Sequence, residues 1–158
     1  MGATNEAQIQ YQPMDDEAIL QAAEEILRKR FMRHGYMADP AVCRQYLKSH
    51  CAHLEHEVFG CIFLDNRHHV LAIEDMFHGT IDGAEVHPRE VMKRALHHNA
   101  AAIIMYHNHP SGNPEPSAAD RAVTTRLKQA LSFVDVRVID HVLVAGTTAV
   151  SLAARGWV

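Results

Sequence analysis

Apolar residues recur along this chain with two periods, and the switches between them divide it into elements. Leu20, Ala23, Leu27 and Phe31 stand three or four residues apart, which predicts a helix. Pro13 and the acids Asp15, Asp16 and Glu17 open it, in keeping with the positive end of the helix dipole. Lys29, Arg30 and Arg33 lie near its end and Gly35 stops it. Residues 1–12 are polar and aperiodic and read as a loose leader. Asp39 as N-cap and Pro40 at the first helical position start a second helix, with Ala41, Val42, Tyr46 and Leu47 on its apolar face. The pattern then changes. Glu57 to Leu64 (EVFGCIFL) is a short run of strand formers, Asp65-Asn66-Arg67 is a turn signal, and His69 to Met76 resumes extended character, which predicts a hairpin. Gly79 to Ile81 adds a further candidate strand, ended by Asp82-Gly83. His87-Pro88-Arg89-Glu90 opens a third helix, with Val91, Met92, Ala95 and Leu96 as its stripe. Ala101 to Tyr106 is apolar throughout and too short for a helix, so it reads as a buried strand. A loop follows from His107 to Pro116. Ser117 then starts a fourth helix carrying Ala122, Val123, Leu127 and Leu131. Val134 to Ala145 reads as one or two strands, Gly146-Thr147-Thr148 as a turn and Ala149 to Leu152 as a last short strand.

Strands alternating with amphipathic helices predict an α/β domain, a mixed β-sheet flanked by helices. At 158 residues, with no internal repeat or low-complexity linker, one domain is expected. Hydrophobic residues make up 47% and the formal net charge is −4, which excludes disorder as the main state and any global pull toward nucleic acid. The longest uncharged apolar run, around Asn99 to Tyr106, falls well short of the roughly 18 residues that a membrane span needs. No basic stretch leads into an apolar signal segment. Cys43, Cys51 and Cys61 are odd in number and lack CxxC spacing, so they read as small buried hydrophobes in a reducing cytoplasm.

One count is unusual: the chain has 13 histidines. Most read as bland. His68-His69 fits a turn, His97-His98 a helix end, and His34, His50 and His53 sit among charged or loop-like residues. His107 and His109 differ because they leave the end of the buried strand two positions apart. Strand side chains alternate, so these two imidazoles can be aimed at one point. Asp120 falls in the first turn of the next helix, and the Pro-rich loop can fold that turn back beside the strand end. Two His and one carboxylate, with a fourth position open, are the ligand set of a catalytic zinc site. Ser117-x-x-Asp120 is equally a helix-capping box that needs no metal, and a carboxylate has acceptor sites enough for both roles. Hydrolysis would also need a general base that is not a ligand. Glu55, Glu57, Glu74, Asp75, Glu85 and Asp140 are candidates, and Glu57 stands out because it heads the apolar strand. HExxH fails, since Gly60 stands where the second His would follow His56-Glu57. PCxxC, GxSxG, the P-loop and GxGxxG are all absent.

Residues 107–120, HNHPSGNPEPSAAD, resemble the JAMM signature (HxHP…SxxD) of the MPN-type zinc metalloproteases. HPREVMKRALHHNAA at 87–101 and Ile139-Asp140-His141-Val142 are similar to stretches of the bacterial RadC-like branch, and the resemblance runs from about Asp39 to Val158. It implies a mixed sheet flanked by helices of the MPN/cytidine-deaminase type at 39–158, preceded by a leader and helix at 1–38. It implies Zn2+ on His107, His109 and Asp120, Ser117 beside the metal orienting water or steadying an oxyanion, and Glu57 as general base. The helix-hairpin-helix region of longer RadC-like proteins has no counterpart among the first 38 residues, so the chain resembles a short form.

The leading expectation is a zinc-dependent hydrolase of amide bonds in a peptide or protein substrate, working in the cytoplasm without a membrane and compatible with a homo-oligomer. A second expectation is a DNA repair or replication factor without peptidase activity. It rests on the family name and on Arg89, Lys93, Arg94, Arg121, Arg126 and Lys128 in two helices. A non-catalytic scaffold is a third, and the intact ligand set argues against it.

Overall fold

A computed structural model describes residues 15–33, 39–79 and 84–158. The leader at 1–12, Gly35, His34 and the candidate strand at residues 80–81 with its Asp82-Gly83 end lie outside the described residues. The elements run α1 (Asp16–Arg33), α2 (Pro40–Cys51), β1 (Val58–Leu64), β2 (Val70–His78), α3 (Pro88–His97), β3 (Ala102–Asn108), α4 (Ala118–Ser132), β4 (Arg137–Ala145) and β5 (Thr148–Ser151). The five strands form one sheet in the order β2-β1-β3-β4-β5. Only the β3–β4 pair is parallel, because α4 crosses between those two strands. The expected mixed sheet flanked by helices is the fold observed. The stretch from Val134 is one strand beginning at Arg137, and β5 begins at Thr148, inside the expected turn. No helix among the described residues is long and apolar enough to cross a membrane.

Local chemistry explains the helix starts. Asp39 accepts a hydrogen bond from the Ala41 N–H, and Pro40 holds the first turn of α2. Pro88 does the same for α3 without a side-chain cap. The sheet is buried on both sides. Cys43, Tyr46, Leu47 and Cys51 of α2 pack on Ile62, Leu64, Ile104, Tyr106 and Val144. Val91 and Ala95 of α3 with Leu127 and Leu131 of α4 pack on Phe59, Cys61, Phe63, Ile103 and Met105. Strands β1 and β3 are therefore apolar on both faces. All three cysteines are free and buried.

Two irregularities decide what faces what. Gly60 lies under the Tyr106 ring, and a Cβ there would overlap that ring and come within 2.6 Å of the Glu74 carbonyl oxygen. Between β3 and β4 the register slips by one: Ile103 is opposite Val138, and Ile104 is opposite Asp140. Ile139 is the extra residue. Without it, alternation would put Asp140 opposite Met105, on the α3/α4 face; with it, His141 takes that place.

Candidate metal centre

His107 is the next-to-last residue of β3, on the face covered by α4, and it is 1% exposed. His109 lies one residue past the strand, where its backbone N–H still bonds the Val144 carbonyl at 2.8 Å. That bond carries the strand geometry onward, so both imidazoles project to the same side. Helix α4 starts against them. Ser117 Oγ accepts from the Asp120 N–H at 3.1 Å, and Asp120 Oδ2 accepts from the Ser117 N–H at 2.7 Å. This reciprocal capping box fixes the Asp120 carboxylate and leaves its remaining acceptor sites turned toward the histidines.

The three side chains converge. His107 Nε2 lies 3.0 Å from Asp120 Oδ1, His109 Nε2 lies 3.2 Å from Asp120 Oδ2, and the two Nε2 atoms are 3.2 Å apart. Among the described residues these three form the one group of His, Cys, Asp and Glu able to hold a metal ion. The spacing suits the task. Bonds of about 2.0–2.1 Å to a tetrahedral zinc imply ligand separations of roughly 3.3 Å. The donor chemistry suits it as well. His109 Nδ1 faces the Asn113 carbonyl oxygen at 2.9 Å, an atom that can only accept, so Nδ1 carries the proton and Nε2 presents a lone pair.

Electrostatics agree. Burial alone would raise the Asp120 carboxyl, but the facing His107 and His109 rings outweigh it and hold Asp120 far below the usual range. The same carboxylate pushes His109 upward against its burial. A bound divalent cation would balance the Asp120 charge at the same point.

Glu57 sits just ahead of β1 and lines the open groove of about 910 Å³ together with His109, Asp120, Ser117, Glu85 and Arg126. Partial burial raises its carboxyl, against the nearby His107 and His109 and a backbone hydrogen bond from Ala84. The other base candidates are engaged or remote. Glu74 accepts from Arg94 and His98, and Asp75 bonds His50 and Tyr106. Asp140 accepts from the His141 and Ala153 N–H groups and from Ser151 Oγ, away from the groove. Glu55 is exposed, and Glu85 lines the groove beside His87.

Sequence reasoning assigned no role to three residues that the structure ties to this site. Asn108, between the two histidines, points to the opposite face. Its Oδ1 accepts from the Val58 N–H at 2.7 Å and its Nδ2 donates to the His56 carbonyl at 3.0 Å. Asn108 thereby grips the backbone on both sides of Glu57. His141 Nε2 lies 2.8 Å from His107 Nδ1, and Thr124 Oγ1 lies 2.6 Å from His141 Nδ1. The only sequence signal for Asn108 was its place inside the HxH motif. His141 had only its place in a family-like stretch, and Thr124 had none. His50, read as bland, is instead clasped by Glu24 and Asp75 on the far side of the sheet.

Comparison with known proteins agrees with this geometry. The sequence model of the RadC-like JAB domain matches residues 37–157. Over 141 residues the chain is 52% identical to a UPF0758 protein of Azotobacter vinelandii, covering 89% of this chain and 63% of that one. It is 51% identical over 142 residues to a UPF0758 protein of Vibrio cholerae, covering 90% of this chain and 89% of that one. The chain thus spans less than two thirds of the first of these relatives and most of the second. With a family match over most of its length and a His-His-Asp group at the strand end where the motif stands, the chain belongs to the RadC-like JAB domain family.

Proposed function

We propose that this protein is a zinc-dependent hydrolase of peptide or isopeptide bonds. The observation that carries this reading is the convergence of two imidazole nitrogens and one carboxylate within 3.2 Å of one another, beside a groove that Glu57 also enters. His107, His109 and Asp120 would hold the ion. A zinc ion held there would supply a Lewis acid and lower the pKa of a bound water toward about 7.

The chain's own groups supply the rest. Glu57 has no ion pair among the described residues, and its raised pKa suits a group that takes a proton and gives it back. It accepts the proton of the attacking water and delivers it to the nitrogen of the departing amine. Asn108 holds the Glu57 backbone so that the carboxylate stays in the groove. Ser117 caps α4 and keeps Asp120 fixed, and its hydroxyl lies at the groove wall, where it can steady charge on the scissile carbonyl oxygen.

The rival reading, a DNA-transaction factor, would need the cations of α3 and α4 as a free basic face. Lys93 pairs with Glu90, Arg94 pairs with Glu74, and Arg121 lies over the Trp157 ring at 5.0 Å. Those contacts engage three of the six cations and count against one continuous free basic face. The test is Glu57→Gln assayed on a peptide and isopeptide library. The variant keeps its zinc and loses about 10²–10⁴-fold in turnover. Cleavage at the wild-type rate would refute Glu57 as the base.

A further inference from the structure

Both histidines that would hold zinc must offer Nε2 without a proton. For His109 the Asn113 carbonyl enforces this. For His107 the partner of Nδ1 is another histidine, His141, which could donate or accept. The answer lies one bond further away. Thr124 Oγ1 is 2.7 Å from the Asp120 carbonyl oxygen, four residues back in α4, and 2.6 Å from His141 Nδ1. The carbonyl can only accept, and two lone-pair oxygens would repel at that distance. The one hydroxyl proton of Thr124 therefore goes to Asp120, and the hydroxyl oxygen accepts from His141 Nδ1–H. His141 is 0% exposed, and no carboxylate hydrogen-bonds either of its nitrogens. A neutral ring with its proton on Nδ1 has a lone pair on Nε2, and that lone pair accepts from His107 Nδ1–H.

We propose that His141, set by Thr124, is a positioning residue that fixes the tautomer and plane of His107 and so turns the His107 Nε2 lone pair toward Asp120 and His109. The chain runs His107 Nδ1–H to His141, His141 Nδ1–H to Thr124, and Thr124 O–H to the backbone of Asp120. It closes on the residue that shares the site, so one helix and two strands are locked to one geometry. The extra residue Ile139 in β4 is what brings His141 to this face. Phe59 packs edge-on against His141 at 5.5 Å and stacks on His107 at 6.3 Å, which keeps water from substituting for either ring.

This inference rests on the proposed metal site, and two measurements separate the failure of each. The first is 15N NMR of histidine-labelled, metal-free protein, with His107 and His141 assigned through His107→Gln and His141→Gln. The proposal predicts a protonated Nδ1 on His107 and an unprotonated Nε2 on His141, whether or not zinc binds. An unprotonated His107 Nδ1 overturns it. The second is zinc affinity by chelator competition. His141→Leu, which removes the acceptor, weakens zinc about 10–100-fold. His141→Gln, whose carbonyl can still accept, recovers much of that loss. Thr124→Val, which keeps the packing and removes the hydroxyl, weakens zinc and leaves Thr124→Ser near wild type. Should His141→Leu fail to fold, the threonine pair decides. Wild-type affinity in Thr124→Val and in every folded His141 variant overturns the proposal. A wild-type chain that binds no zinc, with the predicted nitrogens observed, refutes the metal reading alone.

Discussion

Two histidine networks lie on opposite faces of one sheet, and they balance their charge in different ways. On the α2 side, both ring nitrogens of His50 meet carboxylates: Nδ1 faces Glu24 at 2.6 Å and Nε2 faces Asp75 at 2.7 Å. Tyr106 donates to the same Asp75 at 2.7 Å. One proton on His50 closes the network, with every ring N–H facing an acceptor. On the α4 side, the Nδ1 protons of His107 and His109 point away, toward His141 and Asn113. What remains is two lone pairs and a carboxylate turned on one point. In the first arrangement each ring N–H has a carboxylate acceptor, and in the second two lone pairs and a carboxylate face one another with no donor between them. The placement of the ring protons separates them.

The contrast can be broken first with zinc. With free zinc at about a thousand times its Kd, the folded protein gains about 4 kcal/mol. Chemical denaturation with and without the metal shows that gain in wild type and in His50→Gln, and shows none in His107→Ala. A gain in His107→Ala would mean that zinc binds elsewhere.

Proton linkage sharpens the other side. Burial alone would lower His50, but its hydrogen bonds and charge pairing with Asp75 and Glu24 win and raise it to about 9. A folded pKa above the unfolded value of about 6.5 gives stability that is complete below pH about 6.5 and is lost as pH rises through about 9. The full effect is about 3 kcal/mol as an upper figure, since part of the cluster reaches solvent. Denaturation midpoints from pH 6 to 9.5 should fall with this slope in wild type, and His50→Gln should flatten it. An unchanged slope in that variant would show that the network is not held by a proton on His50.

A smaller effect joins the two faces. Asn108 sits between the two candidate ligands yet bonds the chain around Glu57. Asn108→Ala removes two buried hydrogen bonds and costs about 1–3 kcal/mol. Turnover should fall with zinc content unchanged, because the base is loosened and the ligands are not. Lost zinc in Asn108→Ala would instead mean that the strand end itself had shifted.

Local patterns made the architecture legible. The apolar run at 102–106, the Pro-led starts of α2 and α3, and the HxH spacing on a strand end each carry their meaning within a few residues. The convergence of His107, His109 and Asp120 was readable for that reason, with the Pro-rich loop to turn the chain back and Ser117 as the helix cap. What was hidden depends on distant pairing. The slip at Ile139 is a property of two strands and leaves no mark on β4 alone. His141 reaches His107 across 34 residues, and His50 reaches Glu24 and Asp75 across 26 and 25. A reading limited to neighbours therefore saw His50 as one polar residue among others. Asp140, offered as a base, turns its carboxylate to the backbone of His141 and Ala153, a role set by β5 folding back on β4.

His107, His109 and Asp120 form a ligand set, and His50 with Glu24 and Asp75 does not. Metal content measures this most directly, in protein purified without chelator or a histidine tag, as wild type, His109→Ala and His50→Gln. A three-ligand site gives about one zinc per chain in wild type and His50→Gln and none in His109→Ala. Zinc retained by His109→Ala, or a wild-type chain that holds none and takes up none when it is added, would contradict it.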